Sequence, residues 1–199
     1  MPNFDIENEL YAQGYSAVCG TDEAGRGPLC GPVVAAAVIL PRDIEIDGLN
    51  DSKKLTEKKR ERLYGEIIEK AIAYGIAEAS PEEIDEINIL NASQLAMRRA
   101  VEKLGVAADF VLIDGNCSRG FTVPTRTVVK GDSISASIAA ASILAKVTRD
   151  RGCIELDRLY PEYGIAKHKG YPTKDHMDAV REFGPSPIHR RSFLKFLDK

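Results

Sequence analysis

The chain has 199 residues, of which 44% are hydrophobic and 29% charged, as is typical of one folded globular domain rather than a disordered or fibrous protein. The formal net charge of −3 argues against non-specific binding of nucleic acid through overall charge, although local clusters of Lys and Arg can still bind phosphate. The acidic N-terminus and the lack of an apolar run near the ~20 residues that span a bilayer predict a cytoplasmic protein without membrane spans. The 4 cysteines are widely spaced, which indicates neither disulfides nor a zinc site.

The first distinctive stretch, residues 22–28, reads Asp-Glu-Ala-Gly-Arg-Gly-Pro and follows a short strand-like run. Side chains alternate along a strand, so Asp22 and Glu23 can serve one site only if the backbone bends just after them, as glycine permits. The same glycines leave main-chain N–H groups open to a ligand, and the arginine offers a planar fork suited to phosphate. The stretch indicates a divalent metal held by carboxylates beside a nucleic-acid backbone; the alternative is an ordinary strand-to-loop turn with a solvated acidic pair.

Two predicted strands and a helix follow the glycine-rich stretch. Residues 33–40 form an apolar run between two prolines, which predicts a buried strand that pairs with the first strand as a hairpin. The alternating polar and apolar residues 42–47 predict a half-exposed third strand. A helix is expected to begin at Asp51 or Ser52, and its charged residues 53–62 form either a solvated helix face or a basic binding surface.

The middle of the chain predicts another strand, two helices and a strand that ends in an acid. Residues 74–79 form a short candidate strand, after which Pro81 opens one helix and residues 91–104 form another. Residues 109–115 are an apolar strand that ends at Asp114 beside a glycine. Open α/β sheets bind ligands beyond the carboxyl ends of their strands, so Asp114 stands where chemistry is expected; the alternative is an Asp-Gly turn without function.

The last predicted strand, residues 125–130, is followed over residues 133–147 by a helix of small residues that can lie close against a sheet. Asp132 falls at the N-terminus of this helix, where it is either a helix cap or a fourth acid that faces a metal. The final third of the chain, with its Pro and Gly turns, predicts helices joined by loops. We expect residues 1–199 to form a single domain, in which residues from about 156 to 199 make a helical C-terminal part.

Four carboxylates thus stand at predicted strand ends or at a helix start on one edge of a mixed sheet, and all-oxygen ligands favour Mg²⁺ or Mn²⁺ over zinc. These acids are Asp22, Glu23, Asp114 and Asp132. With this arrangement the sequence resembles the bacterial ribonuclease HII family, within the type 2 ribonucleases H. The resemblance covers nearly the whole chain in order and rests on residues 22–29, on Asp51-Ser52-Lys53-Lys54-Leu55, on Asp114-Gly115, on Lys130-Gly131-Asp132 with the helix after it, and on residues 168–173.

The resemblance implies an α/β fold of the RNase H-like type, with a central mixed five-stranded sheet flanked by helices and a C-terminal helical extension. It implies an endonuclease that hydrolyses the RNA strand of RNA–DNA hybrids and cuts at ribonucleotides embedded in duplex DNA, leaving 5′-phosphate and 3′-hydroxyl ends. It further implies that the four acids are catalytic and bind one or two Mn²⁺ or Mg²⁺ ions, and that a second group binds the substrate. That group consists of Gly25, Arg26 and Gly27 at the ribose 2′-OH, Tyr171 at the RNA-to-DNA junction, and Lys53 and Lys54 in a basic loop.

Other interpretations stay open at the level of sequence. By residue type alone Tyr171 is a core tyrosine beside a proline turn. His176 is expected in an amphipathic helix, whereas His168 and His189 lie among cations that favour phosphate contact over metal binding. The related ribonuclease HIII has a different glycine motif and an N-terminal substrate-binding domain, whereas only 21 residues precede Asp22 here. The remaining alternative is a non-catalytic, metal-stabilised module that binds RNA–DNA hybrids. We expect a monomer.

Overall fold

The structure, a computed structural model that describes residues 1–42 and 44–198, is built around one mixed sheet of five strands, as predicted. β1 pairs antiparallel with β2 and β2 with β3, whereas β1 with β4 and β4 with β5 are parallel. The carboxyl ends of β1, β4 and β5 therefore lie at the same edge of the sheet. The strands are β1 (Val18–Ala24), β2 (Val33–Ile39), β3 (Ala73–Ala79), β4 (Phe110–Asp114) and β5 (Thr125–Val128), in the spatial order β3-β2-β1-β4-β5.

Helices cover both faces of the sheet. In the described part of the chain they are α1 (Asp5–Ala12), α2 (Glu57–Lys70), α3 (Pro81–Glu102), α4 (Ala136–Leu159), α5 (Ile165–His168) and α6 (Lys174–Phe183). Successive side chains of a strand point to opposite faces, and in β2 Ala35 and Ala37 pack with α3 while Ala36 and Val38 pack with α2 and α4. Cover on both faces explains why β2 is apolar throughout. No helix among the described residues combines the length and the apolar character that crossing a membrane requires.

Helix α4 lies close against β1 because both contribute small residues to their contact. Ala139 and Ala140 are fully buried, and an ideal Cβ built at Gly20 would lie 2.2 Å from the backbone carbonyl carbon of Ser137. The helix continues well past the predicted end at residue 147, to Leu159. It therefore reaches beyond the sheet to the helices of the final third.

The strand predicted over residues 42–47 is wrong. Residues 44–46 have no regular structure, and Asp43 lies outside the described residues. The apolar residues of the segment pack into the core without strand pairing: Ile46 is buried and Ile44 partly buried in the cluster that β2 shares with α2 and α4. The alternation thus reflects core packing of an irregular segment.

One helix boundary also differs from the predictions. The first predicted helix divides into a 3₁₀ turn, Ser52–Lys54, and α2, which begins only at Glu57. The hydroxyl of Thr56 caps α2 by accepting a hydrogen bond from the N–H of Lys59 at 3.3 Å. The two helices predicted after Pro81 are present as the two halves of α3, which meet at a kink at Asn88, where φ is 66° and not helical.

The final third consists of helices joined by loops, as predicted, and it packs on the loop between β1 and β2. Leu29 and Cys30 of that loop share an apolar cluster with Tyr163. The N–H of Leu29 donates to the carbonyl of Gly170 at 2.8 Å, and the carbonyl of Leu29 accepts from the N–H of Arg190 at 2.8 Å. The C-terminal helices are thus bonded to the segment that follows the acidic pair.

We expect Gly20→Ala to lower the free energy of unfolding by about 3 kcal/mol, because the new methyl group meets the backbone of α4 rather than a movable side chain. Gly65→Ala is the matched control. Gly65 is exposed in α2 with no atom within 4 Å of an added Cβ, so its replacement should raise the free energy of unfolding by up to about 1 kcal/mol. Chemical denaturation measures both changes, and equal effects of the two variants would contradict the close helix contact.

Candidate active site

The acids predicted to bind metal come together at the sheet edge where β1, β4 and β5 end. Asp22 and Glu23 immediately precede Ala24, the last residue of β1, and Asp114 is the last residue of β4. All three line a cleft of about 490 Å³. Five of the six residues predicted to bind the substrate also line the cleft: Gly25, Arg26, Gly27, Lys53 and Tyr171.

Asp22 and Glu23 reach the same cleft although they alternate along β1. Asp22 is buried, and its Oδ1 accepts a hydrogen bond from the backbone N–H of Glu23 at 2.7 Å. The strand ends at Ala24, and Gly25 follows with a φ of 98°, a left-handed conformation that favours glycine. The bend expected directly after the acidic pair is therefore present.

Asp114 and Asp132 are linked through the backbone. The N–H of Gly131 donates to Oδ1 of Asp114 at 2.6 Å, which places the 3₁₀ turn that carries Asp132 beside the end of β4. The helix-cap alternative for Asp132 is wrong, because Ser135 caps α4 by accepting a hydrogen bond from the N–H of Ile138 at 3.2 Å. Asp132 is buried at the border of the cleft rather than in its lining.

Burial and crowding raise the pKa values of Asp22, Glu23 and Asp132. Burial raises the pKa of Asp22 well above its ordinary value, and the charges of Glu23 and Asp114 raise it further. Burial likewise raises the pKa of Glu23. For Asp132 burial is again the first cause of a raised pKa, followed by the charges of Asp51 and Asp114. The edge of the sheet thus holds more negative charge than its surroundings stabilise.

Positive side chains balance part of this charge. Nζ of Lys53 lies 3.8 Å from Oδ2 of Asp132; partial burial lowers the pKa of Lys53, but the charges of the acids outweigh it and raise the value overall. Nη1 of Arg26 lies 3.4 Å from Oε1 of Glu23. Lys54, unlike Lys53, does not line the cleft. The structure therefore brings Lys53 and Arg26 to the acids but leaves Lys54 outside.

Helix α4 contributes cleft residues that the sequence analysis missed. Ser142, Lys146 and Arg149 line the cleft, and their spacing of four and then three residues places them on one face of the helix. This polar stripe in a helix of small apolar residues is the signal that could have identified them. Arg60 of α2 was also missed; its Nη1 donates to the carbonyl of Leu55 at 2.6 Å and so holds the turn before α2.

The loop of residues 25–31, here called the glycine loop, is in contact with Arg149 and faces Tyr171. An ideal Cβ at Gly25 would lie 2.1 Å from Nε of Arg149, so a side chain at residue 25 would displace that arginine. An ideal Cβ at Gly27 would lie 3.5 Å from Cε1 of Tyr171, which is an ordinary contact. Tyr171 is 44% exposed, so the alternative of a core tyrosine is wrong.

The three histidines lie next to one another and do not line the cleft. The rings of His168 and His176 stack with centroids 4.4 Å apart, and Nε2 of His176 lies 3.3 Å from Nε2 of His189. His176 donates from Nδ1 to the carbonyl of Tyr171, and the N–H of Ser186 donates to Nδ1 of His189. His189 therefore carries its proton on Nε2 and donates it to His176. Since His189 is only 3% exposed, the predicted phosphate contact is wrong at this residue.

Cys30 completes a buried group with His176 and His189, whose potential ligand atoms all lie within 4.8 Å of one another. A metal ion there would need both Nε2 atoms without protons, but the hydrogen bond between the two rings requires one proton. Burial also raises the pKa of the Cys30 thiol to about 12. Hydrogen bonding accounts for this group without a metal.

The donor groups at the sheet edge do fit a divalent metal ion. Carboxylate oxygens are the hard ligands that Mg²⁺ and Mn²⁺ prefer, and buried acids with raised pKa values would be stabilised by a cation. Among the described residues that line the cleft there is no His or Cys, the usual ligands of zinc. The residues that could hold the ion are Asp22, Glu23, Asp114 and Asp132.

Comparisons with known proteins agree on what this chain is similar to. A family model described as Ribonuclease HII matches residues 19–196. A curated relative, Ribonuclease HII of Desulfitobacterium hafniense (strain DSM 10664 / DCB-2), is 58% identical over 187 residues, which cover 94% of this chain and 72% of that protein. The solved structure of ribonuclease H2 from Pyrococcus horikoshii OT3 has a TM-score of 0.74 and 29% identity, and the match covers 92% of this chain and 97% of that chain. Bst-RNase HIII in complex with Mn²⁺ has a TM-score of 0.68 and 20% identity over 92% of this chain and 64% of that chain, a likeness of fold.

Without divalent ions, we expect Asp22→Asn to raise the free energy of unfolding by about 1 kcal/mol or more, because it removes a buried charge among like charges. The sign follows from the raised pKa. The folded state binds the proton of Asp22 more tightly than the unfolded state, so wild-type stability is lost as the pH rises through the folded pKa. The gain should therefore be present at neutral pH and vanish at low pH, where the wild-type carboxyl group is protonated.

Denaturation at neutral pH, in chelator and with added Mn²⁺, measures this effect. The wild type should gain about 2.7 kcal/mol at an ion concentration one hundred times its dissociation constant, and Asp22→Asn should gain less. Glu102→Gln, at an exposed position at the end of α3, is the control and should show neither effect. A variant at Asp22 that is less stable than the wild type in chelator would contradict the interpretation of the raised pKa.

Proposed function

The chain belongs to the ribonuclease HII family, and from this membership and the geometry of the acidic cleft we propose how it cleaves its substrate. It is a ribonuclease H endonuclease that hydrolyses the RNA strand of RNA–DNA hybrids and cuts at ribonucleotides embedded in duplex DNA, leaving 5′-phosphate and 3′-hydroxyl ends. The observation that carries the mechanism is the convergence of Asp22, Glu23 and Asp114 at the carboxyl edge of the sheet, with Asp132 beside them.

We infer that these four acids are the catalytic residues and that they hold one or two Mn²⁺ or Mg²⁺ ions. They offer oxygen ligands only, and their burial and mutual repulsion make cation binding favourable. When bound, divalent ions neutralise charge on the phosphate and lower the pKa of a water molecule. Bst-RNase HIII, which shares the fold, was solved in complex with Mn²⁺.

We assign the positive side chains around the acids to the sugar-phosphate backbone. A polyanion is repelled by a bare acidic cluster, so cations beside the acids are needed to hold it in place. Lys53 and Arg26 now lie near Asp132 and Glu23, and both side chains are exposed enough to turn toward a phosphate once the acids are neutralised. Lys54 lies outside the cleft and would meet only a more distant phosphate.

Selection of RNA requires partners for the ribose 2′-OH, which both donates and accepts hydrogen bonds. Gly25, Arg26 and Gly27 line the cleft, and we propose that the backbone of this stretch reads the 2′-OH. Tyr171 lies beside Gly27 with much of its ring exposed. The sugar or base at the RNA-to-DNA junction can pack on this ring whatever the sequence, so little sequence preference follows.

The non-catalytic alternative uses the same acids for a structural cation in a hybrid-binding module. An open cleft lined by Lys and Arg serves the binding of a nucleic acid as well as its cleavage, so it is the comparisons that favour the enzyme. The relative with 58% identity is named as a ribonuclease. The ribonuclease HIII alternative shares the fold, but at 20% identity for the Bst protein. Both observations favour a catalytic ribonuclease HII.

We further propose that residues 1–199 act as one catalytic domain, as a monomer in the cytoplasm. Helix α4 runs from the sheet into the C-terminal part, and the apolar cluster of Leu29, Tyr163 and Ile165 joins that part to the loop after β1. These contacts support the view that residues from about 156 to 199 are a helical extension of the domain rather than a second unit.

A DNA duplex with one ribonucleotide, incubated with Mg²⁺, Mn²⁺ or a chelator, tests this function. We expect cleavage with either ion and none with the chelator. Asp114→Asn should keep the fold, because its amide oxygen can still accept the hydrogen bond from the N–H of Gly131. It should lower turnover by at least about a hundredfold, because it removes a proposed metal ligand.

Asp109→Asn is the matched control, because Asp109 stands just before β4 and accepts hydrogen bonds from the N–H groups of Ser16 and Ala17 instead. It should lower stability but leave turnover per folded molecule unchanged. Wild-type turnover by Asp114→Asn would refute the assignment of that acid. A wild-type protein that binds the duplex without cutting it in Mg²⁺ and Mn²⁺ would support the binding module.

We expect Gly27→Ala to fold normally and to impair ribonucleotide selection. The added methyl group would lie 3.5 Å from Cε1 of Tyr171, so the free protein accommodates it, but it takes space in the cleft next to the proposed sugar contact. Steady-state kinetics on the single-ribonucleotide duplex should show kcat/KM reduced by about tenfold or more. Gly105→Ala, with no atom within 4 Å of its added Cβ, should cleave like the wild type. Unaltered cleavage and fidelity in Gly27→Ala would count against the role of the loop.

A further inference from the structure

Arg190 is a buried arginine whose side-chain hydrogen bonds all go to one loop. It is 0% exposed, and its guanidinium group donates to four backbone carbonyls. Every acceptor lies within residues 25–31, the loop that leads from β1 to β2 and carries the proposed ribonucleotide contacts. The distances are 2.7 Å from Nη2 to the carbonyl of Gly25, 3.1 Å and 2.9 Å from Nη1 to those of Arg26 and Pro28, and 2.9 Å from Nε to that of Gly31.

The charge of Arg190 is held by carbonyl dipoles rather than by a contacting carboxylate. Burial, followed by the charge of Arg149, lowers the pKa of Arg190 to about 10. Burying a charge without a paired acid is costly, and packing alone would be served as well by an apolar side chain. An apolar residue has no hydrogen-bond donors, whereas the rigid, planar guanidinium group donates to several carbonyls at once. The arrangement therefore points to the geometry of the loop as the property that Arg190 secures.

The direction of the carbonyls determines where the N–H groups of the loop point. In a planar trans peptide, the C=O of one residue and the N–H of the next point in opposite directions. Since the carbonyls of Gly25 and Arg26 point to Arg190, the N–H groups of Arg26 and Gly27 point away from it. Within the described residues neither of these N–H groups has an acceptor, whereas that of Leu29 does. Arg26 and Gly27 both line the cleft, so two adjacent free donors belong to its wall.

A second buried arginine, Arg149 of α4, contacts the same loop. Its Nη2 donates to the carbonyl of Lys169 at 2.9 Å, and its side chain fills the space that a Cβ at Gly25 would need. The guanidinium carbon of Arg149 lies 6.0 Å from the ring centroid of Tyr171. One arginine thus bonds the carbonyls of the loop, and the other packs against the loop at its first glycine.

We propose that Arg190 is a positioning residue for ribonucleotide selection. It holds the carbonyls of Gly25 and Arg26 on one side of the loop, so that the N–H groups of Arg26 and Gly27 are presented to the ribose 2′-OH on the other. Arg190 does this without touching the substrate, from a position 165 residues along the chain from Gly25. The inference rests on the proposed function and adds to it a C-terminal residue that acts by placing the ribose rather than by contacting the reacting atoms.

Arg190→Lys tests the proposal, because lysine keeps the charge but has its three donors on a single nitrogen, which does not match four separate carbonyls. Binding is measured in a chelator to two duplexes that differ only in one ribonucleotide. We expect the preference for the ribonucleotide duplex to fall about tenfold or more, the equivalent of one lost hydrogen bond, while affinity for the all-DNA duplex stays the same. With Mn²⁺, kcat on the ribonucleotide duplex should fall by about a hundredfold, as expected for a misplaced sugar. The rise in melting temperature caused by Mn²⁺ should persist, because the acids are unchanged.

Arg191→Lys is the matched control, since Arg191 is the next residue, is exposed and does not line the cleft. It should behave as the wild type in every measurement. A purely structural Arg190 would give a variant with a lower melting temperature but the same binding preference per folded molecule, and that result would overturn the proposal. A wild type that fails to cut the ribonucleotide duplex refutes the proposed function instead. A wild type that cuts, with unchanged preference in Arg190→Lys, refutes only the positioning role.

Amide hydrogen exchange of the wild type tests the same point without a variant. The N–H groups of Arg26 and Gly27 should exchange rapidly in the free protein and slow by about tenfold or more when the ribonucleotide duplex is added in chelator. The all-DNA duplex should not slow them. The N–H of Leu29, bonded to the carbonyl of Gly170, should be protected in all three samples. Protection of Arg26 and Gly27 in the free protein would overturn the proposal, because their donors would already be used internally.

Discussion

Electrostatic repulsion among carboxyl groups at one edge of the sheet is the constraint on which the rest of the structure depends. Three parallel strands end at that edge, so the acids at or just beyond their ends converge there. Burial and neighbouring charges raise the pKa values of Asp22, Glu23 and Asp132, which means that the fold keeps these groups in surroundings that disfavour their charged form. The nearby contacts of Lys53 and Arg26 reduce the repulsion without removing it. Because the carboxylates repel one another, a divalent cation bound there would stabilise this edge by neutralising part of their charge.

One face of helix α4 packs in the core, and another face lines the cleft. Its alanines and the absence of a side chain at Gly20 allow the helix to approach β1 closely. On another face, Ser142, Lys146 and Arg149 reach the cleft, where Arg149 also supports the glycine loop. Because a single helix sets both arrangements, packing against the sheet and the shape of the cleft are coupled. A change that moved α4 away from β1 would displace the polar stripe as well.

Much of the sheet and of the candidate site could be predicted because each piece is encoded within a few neighbouring residues. Apolar runs mark the buried strands, and Asp22, Glu23 and Asp114 follow them directly in the sequence. The prediction at residues 42–47 was wrong because Ile44 and Ile46 pack into the core from an irregular segment, and alternation alone does not distinguish that arrangement from a strand. The burial of His189 and the bonds of Arg190 to residues 25–31 depend on how the final third packs, across as many as 165 positions of the chain. No local pattern carries that information.

The location of Arg190 has a consequence for how the protein is made. Synthesis begins at the N-terminus and adds roughly 5–20 residues per second, so a growing chain contains all four acids before the residue that supports the glycine loop has been added. Such an incomplete chain carries the groups proposed for phosphodiester hydrolysis, but its residues 25–31 lack the donors that order their carbonyls. On the proposed role of Arg190, discrimination between ribose and deoxyribose therefore becomes available only after residue 190 has been synthesised and the C-terminal segment has closed onto the loop.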